Sequence, residues 1–130
     1  MEDIKSKAGN KRVGKQFEEY ASSYLENNGY QILERNYRFR RFGEMDIIAI
    51  KNGVLCFVEV KSRQNDSFGT PAESVTYKKK KKIAFLADQY IALNKHSNKA
   101  VRFDVVEIYF SCGNNDTYTV KSINHIENAF

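Results

Sequence analysis

"GEMDIIAIKNGVLCFVEVKSR", residues 43–63, decides the fold. It reads as two apolar strands, 45–50 and 54–61, joined by a turn at Lys51-Asn52-Gly53. Asn-Gly between alternating apolar runs is a strong hairpin signal. Side chains two apart on a strand share a face. Leu55, Phe57, Glu59 and Lys61 therefore share one face of the second strand, and Val54, Cys56, Val58 and Val60 the other. In the first strand Asp46 is expected on the face of Ile48 and Ile50, with Ile47 and Ala49 opposite. Both strands read as covered on both faces, with charge confined to one end.

A turn centred on Asn52-Gly53 places Asp46 across from Glu59. Two carboxylates and an ammonium then meet at one end of a sheet. The carboxylates repel, and each is costly to desolvate. Lys61 offsets part of that cost. A divalent cation, Mg²⁺ or Mn²⁺, would offset the rest, because such ions take one or two carboxylates beside a phosphate. It would activate water and polarise a phosphoryl oxygen, while Lys61 orients the water or neutralises the scissile phosphate. Asp46 and Glu59 are the expected ligands. Glu44 is a further ligand, a support for the ligands, or an ordinary solvated glutamate. Charges at a sheet end also serve as solvated gatekeepers, which is the bland alternative for the whole group.

Working outward, a helix is expected over 12–28, from the stripe of Phe17, Tyr20, Ala21, Tyr24 and Leu25. Asn28-Gly29 would end it. A strand begins at 30–34, and 36–42 continues it or turns. Residues 62–72 read as a loop holding the single proline, Pro71. A long helix follows from Pro71 or Ala72 to Leu93, with Ile83, Leu86, Ala87, Tyr90 and Ile91 as its apolar stripe. Strands are expected over 101–110 and 118–120, and a short helix from Ser122. Residues 1–12 read as a frayed polar tail. The order α-β-β-β-α-β-β describes one α/β domain, a mixed sheet flanked by helices.

At 130 residues the chain suits a single core. No apolar run reaches the ~20 residues of a membrane span, and the first residues hold no secretory apolar segment. Cys56 and Cys112 lack metal-ligand spacing, so a reducing, cytoplasmic setting is expected. A net charge of +5 and a pI near 9.2 permit a polyanionic partner.

Asp46 followed by Glu59-Val60-Lys61 resembles the PD-(D/E)xK nuclease signature, with Met45 where the signature's name has Pro. More closely, the chain resembles the YraN-type family of small bacterial proteins, predicted to be endonuclease-like and distantly similar to archaeal Holliday junction resolvases. The motifs are Gly14 to Glu18, "RNYR" at 35–38, "GEMDIIA" at 43–49, "FVEVKSR" at 57–63, "FGTPAESV" at 68–75, Lys79, and "RFDVV" at 102–106. The resemblance implies a restriction-endonuclease-like fold, metal ligation by Asp46 and Glu59, and a catalytic Lys61. It also implies that a glutamate of the first helix joins the site. Glu18 borders the apolar stripe while Glu19 lies on the polar face, so Glu18 is the candidate, against an ordinary helix-surface role.

"RNYRFRRFG", 35–43, interleaves arginines with aromatics just before the carboxylate strand. Arg38 and Arg40 are expected phosphate contacts, and Phe39 and Phe42 are expected in the core. Of the five lysines at 78–82, Lys79 is the expected phosphate contact or site support. Such contacts position a backbone without reading sequence. His96 and His125 receive no role. The leading reading is a Mg²⁺- or Mn²⁺-dependent nuclease acting on DNA, branched or flapped DNA included. The alternatives are a nucleic-acid-binding protein without turnover and a basic module for an acidic protein. By analogy with nucleases that pair to reach two strands, a twofold homodimer is expected.

Overall fold

Eight elements follow one another in the computed structural model, which describes residues 3–5, 9–64, 76–94, 99–114 and 117–129. They are β1 (Asp3–Lys5), α1 (Gly9–Asn27), β2 (Gln31–Arg38), β3 (Glu44–Lys51), β4 (Val54–Arg63), α2 (Tyr77–Leu93), β5 (Ala100–Cys112) and β6 (Thr117–Ile126). The strands form one sheet in the order β1-β6-β5-β4-β3-β2. β4 and β5 pair in parallel and the other neighbours antiparallel. A parallel pair needs a long crossover, and α2 lies within it. The result is the mixed α/β arrangement of the restriction-endonuclease-like class.

The central strands are apolar on both faces because a helix covers each. On one face Phe17, Ala21 and Leu25 of α1, four apart in sequence, pack with Ile47, Ala49, Cys56, Val58, Val106 and Ile108. On the other, Ile83, Ala87 and Tyr90 of α2 pack with Met45, Ile48, Leu55 and Phe57. Each Val, Leu, Ile, Met or Phe among them contributes about 1.5–3 kcal/mol when fully buried. Cys56 is buried and free, as its place in an apolar strand implies. α1 ends where expected: Gly29 adopts φ +87° and the Tyr30 N–H donates to the Leu25 carbonyl at 3.0 Å.

Four expectations change. Residues 1–12, read as a frayed tail, supply β1, which pairs with the edge strand β6, and the first residues of α1. The tail beyond Ser122 is strand and not helix, because β6 continues along β5 and places Ile123 opposite Ile108. The last strand is accordingly longer than 118–120. The described part of the second helix starts at Tyr77, because Thr76 is extended at ψ 162° and its hydroxyl caps the Lys79 N–H at 3.2 Å. The motif at 68–75 and His96 lie outside the described residues. Among the described residues no helix is long and apolar enough to cross a membrane.

Candidate active site

The β3–β4 ladder runs in the expected register from Lys51↔Val54 to Ile47↔Val58, and stops there. Asp46, expected directly across from Glu59, lies beyond the last pair. Its Oδ2 instead accepts a hydrogen bond from the Val60 N–H at 2.8 Å. Strict alternation also fails here. Met45 and Ile48 both pack on the α2 side, whereas Ile47 packs on the α1 side. The backbone ladder therefore ends at the carboxylates, and this end of the strand pair is the candidate site.

On the far side of Asp46, Asn36 of β2 takes φ +53°, between the pairs Arg35↔Ile47 and Tyr37↔Met45. Glu18 reaches this point from α1 and hydrogen-bonds both Asn36 and Asp46. Burial and the neighbouring charges of Asp46 and Glu44 lift the Glu18 carboxyl to about 7. Glu19, one residue on, is exposed.

Glu59 is 5% exposed. Burial, then repulsion from Asp46, lifts it to about 7, and Lys79 and Lys61 pull in the other direction. Asp46 is raised as well, chiefly by burial, with the Val60 N–H and Lys61 opposing. Lys79 Nζ stands 3.5 Å from Glu59 Oε2. Lys79 also lies beside Lys61; burial and the adjacent Lys79 push the Lys61 ammonium down, while Lys61, Glu59 and Asp46 together push Lys79 up against its burial.

Glu44 is on the exposed end of β3 and accepts from Arg38 Nη2 at 3.1 Å. Its charge reaches Glu18 and Asp46. With Glu59, Lys79 and Lys82 it lines a cavity of about 320 Å³ whose apolar wall is Ile83 and Leu86 of α2. A second cavity, about 230 Å³, opens beside Glu18, Arg35 and Asn36. Gly43 at the cavity rim has φ +146°, and a Cβ there would stand 2.6 Å from Lys82 Cε. The Lys82 side chain can swing away, so it is the positive φ that favours glycine at this turn.

The structure thus brings Glu18, Asp46, Glu59, Lys61 and Lys79 to one end of the sheet, with Glu44 at its rim. Among the described residues no three His, Cys, Asp or Glu side chains converge as a ready metal cage. The donor chemistry nonetheless fits a hard divalent ion. Asp46 and Glu59 offer carboxylate oxygens, and burial first, then the neighbouring carboxylates, raises both while nearby lysines only partly oppose.

Arg40 is exposed, and its guanidinium carbon lies 5.4 Å from the Phe39 ring centre. The expectation that Phe39 and Phe42 join the core does not hold. Phe42 is 49% exposed, and Phe39, Phe42 and Phe85 form their own surface cluster, with centroid separations of 4.9–6.1 Å. The turn after β2 carries the two loop rings across α2 instead of under it.

Two buried features were not anticipated. Glu107 of β5 is 3% exposed and pairs in register with Lys61, and its Oε2 meets no hydrogen-bond partner among the described residues. Its only signal was one charge in the apolar run "VVEIYF". Asp104, fully buried, binds Arg102 Nε and Nη2, His125 Nε2 at 2.7 Å and the Asn128 N–H at 2.9 Å. Arg102 continues to the Tyr30 hydroxyl at 2.6 Å. This closed network ties the end of β6 to β5 and gives His125 a structural place.

Residues 17–108 match the Uncharacterised protein family UPF0102. The chain belongs to this family. A UPF0102 protein of Clostridioides difficile (strain 630) is 48% identical over 121 residues, covering 93% of this chain and 98% of the relative. A UPF0102 protein of Acetivibrio thermocellus is 43% identical over 131 residues, covering 98% and 100%. One of Alkaliphilus oremlandii is 46% identical over 123 residues, covering 93% and 99%. This is the YraN-type family that the ordered motifs resemble. The UPF0102 match begins at Phe17, one residue before Glu18, and spans Asp46, Glu59, Lys61 and Lys79.

Proposed function

We propose that the protein is a metal-dependent nuclease that hydrolyses phosphodiester bonds of DNA. The observation that carries the reading is the end of the β3–β4 ladder, which leaves Asp46, Glu59 and Lys61 together at the end of a buried strand pair. Crowded, poorly neutralised carboxylates destabilise a fold. Their presence at the end of a strand pair with an apolar centre is best explained by a cationic ligand.

Asp46 and Glu59 would hold Mg²⁺ or Mn²⁺, which when bound supplies Lewis-acid activation of water and of the phosphoryl group. The Val60 N–H fixes the Asp46 carboxylate, so one oxygen is oriented before any ligand arrives. Lys61, on the face of Glu59, positions the attacking water or the phosphoryl oxygen. Lys79 lies where it neutralises a phosphate once Glu59 turns to another cation. Glu18 steadies Asp46 through their shared hydrogen bond. Arg38 and Arg40 extend the positive surface along the turn.

A second reading, nucleic-acid binding without turnover, draws on the Lys79–Glu59 ion pair, which already neutralises one candidate ligand. Labelled duplex, single-stranded, flapped and four-way-junction DNA, incubated with Mg²⁺, Mn²⁺ or EDTA, separates the two. Metal-dependent cutting supports the nuclease. Salt-sensitive binding of every form with no cutting supports the binder.

A further inference from the structure

Phe42 and Phe85 lie 4.9 Å apart between centroids and are 49% and 37% exposed, with Phe39 stacked behind Phe42 at 6.1 Å. Three touching rings on the surface of a chain with net charge +5 require an explanation. Their position adds to the question. Phe42 directly precedes Gly43 and Phe85 directly precedes Leu86, and both neighbours line the cavity that contains Glu59. The Arg40 guanidinium covers the Phe39 ring, Arg41 is exposed beside it, and Lys78 and Lys82 flank the cavity.

The ligand that matches flat apolar rings set among cations is an anionic chain that itself carries flat rings. Unpaired nucleotides have both. Paired bases hide their faces inside a duplex, whereas unpaired bases offer them for stacking. An acidic protein surface would satisfy the cations but would leave three rings without matching faces.

Resting on the nuclease reading, we infer that Phe39, Phe42 and Phe85 form a stacking platform for unpaired nucleotides next to the scissile phosphate. The preferred substrate is then DNA with a single-stranded segment beside the cut, such as a flap, an overhang or an opened branch point. The platform acts through base faces and does not distinguish sequence.

The chain contains no tryptophan, so Phe42→Trp introduces a single fluorescent reporter at the platform. The test uses full-length protein in EDTA, with labelled oligothymidylate and a labelled blunt duplex over a series of salt concentrations. Oligothymidylate should quench the Phe42→Trp emission. Phe42→Ala/Phe85→Ala should weaken oligothymidylate binding roughly tenfold or more, with an unchanged salt slope because no phosphate contact is lost. Blunt-duplex affinity should stay as in the wild type. If the wild type binds DNA with the usual salt dependence but the Ala variant binds oligothymidylate equally well and Trp is not quenched, the platform is wrong and the nuclease reading stands. If the wild type binds neither probe, both fall. If the Ala substitutions dissociate an oligomer in light scattering and leave DNA affinity intact, the rings are a protein interface.

Discussion

Lys79 Nζ stands 3.5 Å from Glu59 Oε2, so the helix covering the sheet supplies a cation to a carboxylate buried in a central strand. A divalent ion held by Glu59 would compete with Lys79 for the same oxygen. Lys79→Met should therefore tighten Mn²⁺ binding by roughly two- to fivefold, the worth of a partly exposed ion pair. Isothermal titration calorimetry without DNA measures it. The same variant should bind DNA more weakly. Weaker Mn²⁺ binding in Lys79→Met would remove Lys79 as a competitor.

Glu18 shares a hydrogen bond with Asp46 and is crowded by Asp46 and Glu44. Glu18→Gln keeps a donor toward Asp46 and deletes a potential negative charge. Its Tm at neutral pH without metal should rise by about 2–5 °C. Added Mg²⁺ should then raise Tm more in the wild type than in the variant, since the ion relieves a repulsion that the variant lacks. A lower Tm in Glu18→Gln would mean that the contact is a net stabiliser.

Asp104 is fully buried and meets Arg102, His125 and the Asn128 N–H. Asp104→Ala should cost about 3 kcal/mol, because it leaves buried partners of a broken charge network. The His125 and Arg102 hydrogen bonds outweigh burial and hold its carboxyl below the ordinary 3.8. A lowered folded pKa means that the stabilisation is present above about 3.8 and is lost as pH falls through the folded value. Urea unfolding of wild type and Asp104→Asn between pH 2 and 7 should show the gap closing only below about 3.8. A constant gap would contradict the assignment.

The hairpin was legible because its signals agree. Asn52-Gly53 sets the turn, the period-two pattern sets the faces, and the observed register from Lys51↔Val54 to Ile47↔Val58 is the one they imply. What the pattern could not show is where the ladder ends. Its end at Asp46 depends on a carboxylate bonding the Val60 N–H, a choice made in three dimensions. A glutamate of the first helix entered through the family resemblance, and the stripe's edge chose Glu18 over Glu19, but its contact with Asp46 needed the packing of α1. The terminal strands were missed because edge pairing depends on what the neighbouring edge offers, and β1 and the end of β6 are weakly apolar. Phe39 and Phe42 misled for the opposite reason. Aromatic residues in a turn look like core residues until the path of the turn is known.

Arg38 is held by Glu44 at 3.1 Å, and the Arg40 guanidinium lies over the Phe39 ring. If both contact phosphate, each change to Ala should lower the slope of log affinity against log salt by about 0.9 on duplex DNA. Fluorescence anisotropy over a salt series reads this directly. An unchanged slope in both variants would place the DNA path elsewhere.

The most direct test of the central claim is the single-turnover cleavage rate of flapped DNA in Mn²⁺, for wild type, Asp46→Asn and Lys61→Ala, with binding of the same DNA measured in parallel. The account predicts cutting by the wild type, a loss of at least about 100-fold in each variant, as for other groups aimed at a transition state, and nearly unchanged DNA affinity. Wild-type rates in either variant, or DNA bound by the wild type and never cut with any metal, would contradict it.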